Sequence, residues 1–445
     1  MLERFTSLSK NDPHAPALID GATGAITTRG ELLVRSETIA AQLASAGMRE
    51  GDALALQFPN SVDFVAAFLA ALRLRLVAIP IDRDASDTEV AKILSHFSVR
   101  GFLAFNATVV VRDVARPAVP SDARLIKLTS GSTGMPKGIV TTEANLIADC
   151  ENICATMGIR ADDVNLGAIP FSHSYGFSNL VTPLLLQGTA IVYSNDYLPQ
   201  SMVEMANRFR CTVVPLIPMV FAHLTTAAHG SFASVRTFIS AGAPLPASTS
   251  RRFRERFGID IHSFYGCSEC GGITYDRRGG AVERGTVGPA LEGVELLTGG
   301  ARLVVRSGSV AAGYLLDAMT FQPFEDGTFT TDDLTEIRDG EIALTGRAGD
   351  LINTAGKKVN PREVEAVILQ IAGVREAKVY GEPAGARGEV VAAAIVALPD
   401  VTREQVREFC RTRLSTHKVP RIVKLIDEMP VDERGKVKRA ALAML

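Results

Sequence analysis

The most informative stretch of the chain is a loop rich in glycine and hydroxyl side chains that directly follows a short apolar run. It reads Leu128-Thr129-Ser130-Gly131-Ser132-Thr133-Gly134-Met135-Pro136-Lys137-Gly138. The glycines let the backbone turn tightly and bring N–H groups close to an anion. The four hydroxyls add further donors, and Lys137 adds a positive charge. By its composition, this stretch predicts a phosphate-binding loop.

The loop differs from a Walker loop, because Gly138 rather than Ser or Thr follows the lysine. The alternative interpretation is a plain Ser/Gly linker, which would need no particular residue at its end. The ordered Pro136-Lys137-Gly138 ending disfavours a linker.

Before the loop, short β-branched or apolar runs alternate with helix-period stretches. Four runs are bounded by Gly, Pro, Asp or Asn and read as buried strands: Ala53–Phe58, Leu76–Ile81, Arg100–Phe105 and Arg124–Leu128. Two helices are predicted between or before them. The first, Glu31–Ala46, is preceded by Thr28 in a capping box with Glu31, and the second begins at Ser61. This alternation favours a mainly parallel sheet covered on both faces.

After the loop the same rhythm repeats. The predicted strands are Asn165–Pro170, Thr189–Ser194, Thr212–Ile217, Thr237–Ser240 and Asp260–Phe264. Two doubly wound α/β units in tandem fit this pattern better than one sheet. From Gly285 to about Leu344, short strands with Gly-rich turns indicate a small antiparallel barrel. The fold class is therefore α/β.

The last hundred residues read as a separate, small α+β domain. Asn360-Pro361-Arg362-Glu363 is a helix start with a cap, a proline at the first helical position and an acid at the third. We place the boundary near Gly346–Asp350, which gives an N-terminal domain of residues 1–346 and a C-terminal domain of residues 347–445.

Composition excludes several classes of protein. A net charge of −2 provides no basic face for nucleic acid. No stretch reaches the roughly 18–20 apolar residues of a membrane span, and the N-terminus lacks the apolar core of a signal peptide. Six cysteines in 445 residues do not form a disulfide framework. Cys267-x-x-Cys270 has no second pair at the spacing of a zinc site. We expect a cytoplasmic protein.

Several further motifs follow in a fixed order, and with them the chain resembles the adenylate-forming superfamily of acyl- and aryl-CoA ligases, non-ribosomal peptide adenylation domains and luciferases. The resemblance runs from about Thr28 to Ala441 and is closest to the acyl-CoA ligases. Tyr265-Gly266-Cys267-Ser268-Glu269 matches the family's Tyr-Gly-x-Thr/Ser-Glu segment. The resemblance implies that Tyr265 stacks on adenine, that Ser268 contacts the α-phosphate, and that Glu269 helps to hold Mg²⁺.

Two later motifs imply ribose contacts and a hinge. Asp333, in Thr330-Thr331-Asp332-Asp333-Leu334, takes the place of the aspartate that binds the ribose hydroxyls, although Asp332 replaces the usual glycine. Arg347 would also reach the ribose. Gly349 stands where the family's pivot residue usually lies, and a glycine can absorb a large φ/ψ change. Gly356 lies in the loop that lines the family's thiol channel.

Near the C-terminus, the stretch from Met429 to Arg439 resembles the loop that carries the family's catalytic lysine. Lys436, directly after Gly435, matches that lysine, and Lys438 is the second choice. Taken alone, a lysine near a basic C-terminus is a solvated charge, and only the other motifs favour a catalytic role.

His173 lies in a segment that resembles the His-x-x-Gly motif of acyl- and aryl-CoA ligases. We interpret it as a pocket-wall or gating residue of the reaction site rather than a general base. No acid occurs between Pro170 and Leu186, where amino-acid-activating relatives pair the substrate ammonium. An unpaired buried ammonium would be costly, so an α-amino acid is disfavoured. A fatty or aryl acid is the favoured substrate.

The resemblance therefore implies an enzyme that uses ATP, Mg²⁺ and CoA. The predicted catalytic residues are Lys436, Glu269, Thr133 and His173, with Glu269 also the metal ligand. The predicted cofactor-binding residues are Thr129, Ser130, Gly131, Ser132, Thr133, Gly134, Lys137, Gly242, Ala243, Tyr265, Gly266, Ser268, Asp333, Arg347 and Gly356.

The expected reaction has two steps. The acid attacks the α-phosphorus of ATP to give an acyl-adenylate and pyrophosphate, and the C-terminal domain then turns so that a thiol can attack. Three alternatives remain open: the phosphopantetheine of an acyl carrier protein in place of CoA, another nucleophile such as an amine, or a non-catalytic protein that only binds nucleotide. The short stretch between Ile81 and Thr129 also predicts a shortened first α/β unit.

Overall fold

The computed structural model describes residues 1–105, 109–129, 136–227, 229–297, 302–354, 357–383, 389–431, 437 and 441–442. By its internal contacts, the chain divides into two compact units. The first comprises Met1–Leu297 and Val304–Phe329, and the second comprises Thr298–Leu303 and Thr330–Leu445. The predicted boundary between residues 346 and 347 falls inside the second unit, and it stays a prediction of where a mobile domain begins.

The strands follow one another along the whole chain. They are β1 (Pro16–Asp20), β2 (Ile26–Thr28), β3 (Ala53–Gln57), β4 (Val77–Ile81), β5 (Gly101–Ala104), β6 (Val110–Val111), β7 (Ala123–Thr129), β8 (Lys137–Thr142), β9 (Val164–Gly167), β10 (Ala190–Tyr193), β11 (Val213–Leu216), β12 (Thr237–Ser240), β13 (Ile261–Cys267), β14 (Gly271–Tyr275), β15 (Val294–Leu297), β16 (Arg302–Ser307), β17 (Gly313–Asp317), β18 (Thr320–Pro323), β19 (Thr328–Arg338), β20 (Glu341–Arg347), β21 (Ile352–Thr354), β22 (Lys357–Val359), β23 (Val374–Pro383), β24 (Glu389–Ala397) and β25 (Ile422–Leu425).

The helices lie mostly between these strands. They are α1 (Leu2–Asn11), α2 (Arg29–Ser45), α3 (Val62–Arg73), α4 (Asp87–His96), α5 (Glu143–Met157), α6 (Ser174–Gly176), α7 (Thr182–Gln187), α8 (Pro199–Arg208), α9 (Pro218–Ala227), α10 (Ala247–Phe257), α11 (Pro361–Ile368) and α12 (Arg403–Arg411). Within the part of the chain that the structure describes, no helix is both long and apolar enough to cross a membrane.

The predicted helix starts are confirmed where a cap was assigned. The Thr28 side chain accepts a hydrogen bond from the backbone N–H of Glu31, and the Glu31 carboxylate accepts one in return from Thr28, which completes the capping box. Ser61 caps α3, and Asn360 caps α11 with Pro361 at the first helical position. These caps satisfy backbone donors that have no partner inside the helix.

The first sheet of unit 1 has the strand order β18-β17-β8-β7-β4-β3-β5-β6. Its centre is parallel, as predicted, because β3 pairs in parallel with β4 and β5, and β4 with β7. From β7 outward the pairing becomes antiparallel. One face of this sheet buries an apolar core that includes Ile79, Ile126, Val140 and Leu315.

The second sheet of unit 1 has the order β14-β13-β12-β11-β9-β10-β1-β2. The pairs from β1 to β13 through the middle of the sheet are parallel, and β2 and β14 close the two edges antiparallel. Phe221, Phe238 and Phe253 pack edge to face at the core under α9 and α10. The sequence therefore predicted two α/β units correctly.

The region from Gly285 to Leu344 departs from the expectation of one small barrel. β15 pairs antiparallel with β16, and β19 with β20. β17 and β18, however, extend the first α/β sheet, because Tyr314 of β17 pairs with Ile139 of β8. The physical reason is that β8 would otherwise expose an unpaired edge, which a neighbouring strand covers.

In the second unit, β23 and β24 are antiparallel and β25 runs parallel to β24. α11 and α12 cover this sheet over an apolar core of Val364, Ile368, Val379 and Ile395. The predicted α+β character of the C-terminal region is confirmed.

Candidate active site

The candidate site in unit 1 is organised around the β7–β8 hairpin. Thr129 ends β7 and lies opposite Lys137, the first residue of β8. The Thr129 hydroxyl donates a hydrogen bond of 3.4 Å to the Lys137 carbonyl. These two residues therefore frame the predicted phosphate loop. The loop positions Ser130, Gly131, Ser132, Thr133 and Gly134 lie outside the described residues, and their roles stay predictions.

Lys137 and Glu269 belong to one cluster that is centred on Tyr314. The Lys137 ammonium lies over the Tyr314 ring, 5.2 Å from its centroid, which is a cation–π contact. The Tyr314 hydroxyl donates a hydrogen bond of 2.8 Å to Glu269 Oε1. The ring thus holds a cation and a carboxylate close together without a direct ion pair. We call Lys137, Tyr314 and Glu269 the charged cluster.

The turn between β13 and β14 positions Glu269. The backbone N–H of Cys270 donates to the carbonyl of Cys267, which closes the turn. Gly266 must be glycine, because a Cβ there would lie 2.3 Å from the Gly271 carbonyl oxygen. The predicted Tyr265 lies on β13 opposite Thr274, one residue before an irregularity in the ladder.

A buried carboxylate supports this turn from α5. Asp149 is 3% exposed and accepts hydrogen bonds from the Ser178 hydroxyl, at 2.6 Å, and from the Gly272 backbone N–H, at 2.9 Å. Gly271 has φ +72° and passes so close to Asp149 that a Cβ would meet Oδ1 at 2.1 Å. Asp149 therefore holds the strand that follows Glu269, a role that no sequence motif indicated.

His173 and Ser268 lie in different parts of the chain: His173 directly precedes α6, and Ser268 directly follows β13. His173 Nε2 lies 2.9 Å from Asp82 Oδ2, just beyond the carboxyl end of β4. The next residue, Ser174, has its hydroxyl 2.8 Å from that of Ser268. The His173–Ser174 segment therefore joins the end of the first sheet to the turn that carries Ser268. The sequence predicted site roles for His173 and Ser268, which stay predictions, and no sequence motif indicated Asp82.

A buried amide links the two sheets beneath His173. Asn60, 4% exposed, donates from Nδ2 to the carbonyls of Gly167 and Ile169, each at 3.0 Å. Its Oδ1 accepts from the backbone N–H of Phe171 at 2.8 Å. A fully bonded buried amide fixes its surroundings, because an unmade bond would be costly. Asn60 thus fixes the loop that leads to His173.

Gly242 and Ala243, which the sequence predicts to bind the cofactor, follow β12. Gly242 has φ +85°, a conformation that favours glycine. Nearby, the Tyr175 hydroxyl donates to the Ile239 carbonyl at 3.0 Å, and the Tyr175 ring packs against Phe264 with centroids 6.0 Å apart. Burial raises the pKa of the Tyr175 phenol well above its usual value, so Tyr175 stays a neutral donor.

In the second unit, the two predicted ribose residues meet. Asp333 and Arg347 are opposite each other in the β19–β20 ladder, and Arg347 Nε donates to Asp333 Oδ1 at 2.8 Å. The backbone N–H of Asp333 also donates to the Thr331 hydroxyl. The Asp333 carboxylate is thus oriented by its arginine. Gly356 and Lys436 lie outside the described residues, and their roles stay predictions.

The residues of the charged cluster suit magnesium that arrives with a nucleotide. Mg²⁺ is typically bound through one or two carboxylates together with substrate phosphates. Glu269 supplies one half-buried carboxylate, held by Tyr314 beside Lys137. Among the described residues there is no group of three or more His, Cys, Asp or Glu that could hold a metal ion. One carboxylate held close to Lys137 through Tyr314 fits an ion that arrives with a nucleotide.

The chain matches two family models. Residues 5–121 and 104–315 match the AMP-binding enzyme model, and residues 363–436 match the AMP-binding enzyme C-terminal domain. Sulfoacetate–CoA ligase of Cupriavidus necator is 28% identical over 97% of this chain and 94% of the relative. Feruloyl-CoA synthase of an Amycolatopsis species is 27% identical over 96% of this chain and 95% of the relative.

A solved structure extends the comparison to the fold. ATP-bound MatB from Rhodopseudomonas palustris superposes with a TM-score of 0.85 and 25% identity, over 100% of this chain and 98% of that one. The match to both family models covers most of the chain and confirms the resemblance to the acyl-CoA ligases. The chain belongs to the AMP-binding enzyme family.

Proposed function

We propose that the protein activates a carboxylic acid with ATP, releases pyrophosphate, and transfers the acyl group of the acyl-adenylate to the thiol of CoA. The observation that carries this proposal is the charged cluster at the β7–β8 hairpin. There, one cation and one carboxylate are held by the same tyrosine, and the cation, Lys137, directly follows a sequence segment of glycines and hydroxyls.

The first step needs positioning and charge stabilisation rather than a base, because a carboxylate at neutral pH is already ionised. Lys137 faces the polyphosphate and offsets its charge. Glu269 holds Mg²⁺, and Tyr314 fixes the orientation of Glu269. When bound, Mg²⁺ neutralises charge on the phosphates. Such pre-oriented groups stabilise the charge that develops at the transition state.

We propose further roles for residues of the second unit. Asp333, oriented by Arg347, accepts hydrogen bonds from the ribose hydroxyls. Lys436 stabilises the transition state of adenylate formation. The C-terminal domain then turns about Gly349 and presents the Gly356 loop, along which the thiol enters.

A fatty or aryl acid is the proposed substrate class. Two features support it: the region from Pro170 to Leu186 has no acidic residue that would pair an ammonium, and the Tyr175 ring packs against that of Phe264, with centroids 6.0 Å apart. The Tyr175 hydroxyl is already bonded to the Ile239 backbone carbonyl, so we assign it no polar contact with the substrate.

We place this reaction in the cytoplasm. All six cysteines are free thiols, which suits a reducing compartment.

The test is product analysis with the full chain, Mg²⁺-ATP and a panel of fatty, aryl and amino acids. We expect AMP, rather than ADP, and a CoA thioester with one class of acid. Parallel reactions replace CoA with a phosphopantetheinylated carrier protein. Loading of the carrier without CoA thioester would contradict the CoA assignment. The absence of AMP with every acid and acceptor would contradict the proposed function itself.

A further inference from the structure

Lys127 is a buried lysine in the strand that leads to the phosphate loop. It lies on β7, two residues before Thr129, and is 7% exposed. Lysine is almost never buried to this degree unless it is paired, because removing its charge from water is costly. Among the described residues, no carboxylate lies within 4 Å of the Lys127 ammonium, and none accepts a hydrogen bond from it.

The strand register shows which face Lys127 occupies. Lys127 is opposite Ile139 on β8, and Ile139 is opposite Tyr314 on β17. Residues directly opposite each other across antiparallel strands point to the same face of a sheet, and so do residues two apart. Lys127 therefore shares its face with Thr129, Lys137 and Tyr314. The other face, with Ile126 and Val140, packs into the apolar core.

We propose that Lys127 is a second cation of the phosphate site, and that its ammonium binds the polyphosphate of ATP and the pyrophosphate product alongside Lys137. The loop between Thr129 and Pro136 has no acidic residue and cannot supply a counter-charge. A highly charged anionic ligand can supply the counter-charge, and the proposed function brings such a ligand, ATP, to this face of the hairpin. The inference rests on that function.

The test compares Lys127→Met and Lys127→Gln with Lys127→Arg and with Lys92→Met. Lys92 is an exposed lysine of α4, so its substitution makes the same charge change away from the site. Calorimetry on the full chain gives the Kd of ATP, of pyrophosphate and of AMP. A hydrogen bond to a charged group is worth about 1.5–3 kcal/mol, or roughly 10- to 100-fold in Kd.

We expect Lys127→Met and Lys127→Gln to weaken ATP and pyrophosphate about tenfold or more, and AMP by less than about threefold. Lys127→Arg keeps most of the affinity, because it keeps the charge. Lys92→Met binds all three ligands like the unmodified protein.

A second readout separates binding from a structural role. Lys127 makes no ion pair with a described carboxylate, so Lys127→Met, which keeps a side chain of similar length, leaves no partner charge buried and unpaired. Ligand-free Lys127→Met should therefore unfold in urea at the same concentration as the unmodified protein or a higher one. The proposal would be overturned if the Lys127 variants bound ATP and pyrophosphate as tightly as the unmodified protein, or if they lost affinity equally for all three ligands. It would also be overturned if ligand-free Lys127→Met were less stable than the unmodified protein. If the unmodified protein binds neither ATP nor pyrophosphate, the proposed function fails, and this inference fails with it.

Discussion

The buried carboxylate of Asp149 offers the sharpest test of how the site is supported. Asp149 is 3% exposed, and both of its hydrogen bonds come from groups that are themselves buried: the Ser178 hydroxyl and the Gly272 backbone N–H. Asp149→Ala removes the acceptor and leaves both donors without a partner. A buried unsatisfied donor costs about 1–3 kcal/mol, so two of them predict a loss of about 2–6 kcal/mol in the free energy of unfolding.

Asp149→Asn is the conservative control. Its amide oxygen can accept from the Gly272 N–H, and its amide nitrogen can donate to the Ser178 hydroxyl. Both hydrogen bonds can still form in Asp149→Asn, but they are weaker because a neutral amide replaces the charged carboxylate. We therefore expect a smaller loss than for Asp149→Ala, of about 1–2 kcal/mol.

The measurement is urea unfolding followed by circular dichroism, because the chain has no tryptophan for fluorescence. A double-mutant cycle with Ser178→Ala isolates one of the two bonds. The free energy of unfolding that the double variant loses should be about 0.5–3 kcal/mol smaller than the sum of the losses in the two single variants. An Asp149→Ala loss below about 1 kcal/mol, or additive losses in the cycle, would refute this view of the turn.

Three further predictions concern the charged cluster, the Asp163–Arg236 ion pair and the predicted catalytic lysine, Lys436. Tyr314→Phe removes the hydrogen bond to Glu269 and should raise the Mg²⁺ concentration needed for half-maximal activity about three- to tenfold; an unchanged Mg²⁺ titration would contradict this. Burial raises the pKa of Asp163, but hydrogen bonds, above all from Arg236, outweigh it and leave the pKa below its usual value. The stability that Asp163 contributes is therefore present above about pH 4 and lost as the pH falls through its folded-state value, so Asp163→Asn should flatten the acid side of the pH–stability profile measured by urea unfolding. Lys436→Ala should abolish adenylate formation but spare thioester formation from supplied acyl-AMP; equal loss of both half-reactions would argue against the assignment.

The elements that carry the site were largely predictable from local sequence. The strands before and after the loop are apolar runs bounded by turn residues. Helices α2, α3 and α11 each begin after a residue whose side chain caps the helix, and such capping residues can be read from the sequence. Motif order then indicated the family, which the comparisons confirm. Asp333 and Arg347, predicted separately, lie opposite each other because the β19–β20 hairpin fixes their register.

The partners of the motif residues were not predictable. Tyr314 holds Glu269 only because β17 leaves the antiparallel region and pairs with β8, and no local pattern signals that crossing. Asp82, Asn60 and Asp149 lie far in sequence from the residues they bond. Such contacts depend on how two sheets meet, which a single sequence does not encode in any short motif.

The most direct test of the proposed function is acid-dependent exchange of labelled pyrophosphate into ATP, measured without CoA across fatty, aryl and amino acids. Lys137→Met and Glu269→Gln serve as site variants, and Lys92→Met serves as the surface control. We predict exchange that requires one class of acid, falls sharply in both site variants and is unchanged in the control. Exchange without any acid, or exchange that Lys137→Met and Glu269→Gln leave intact, would contradict adenylate formation at this site.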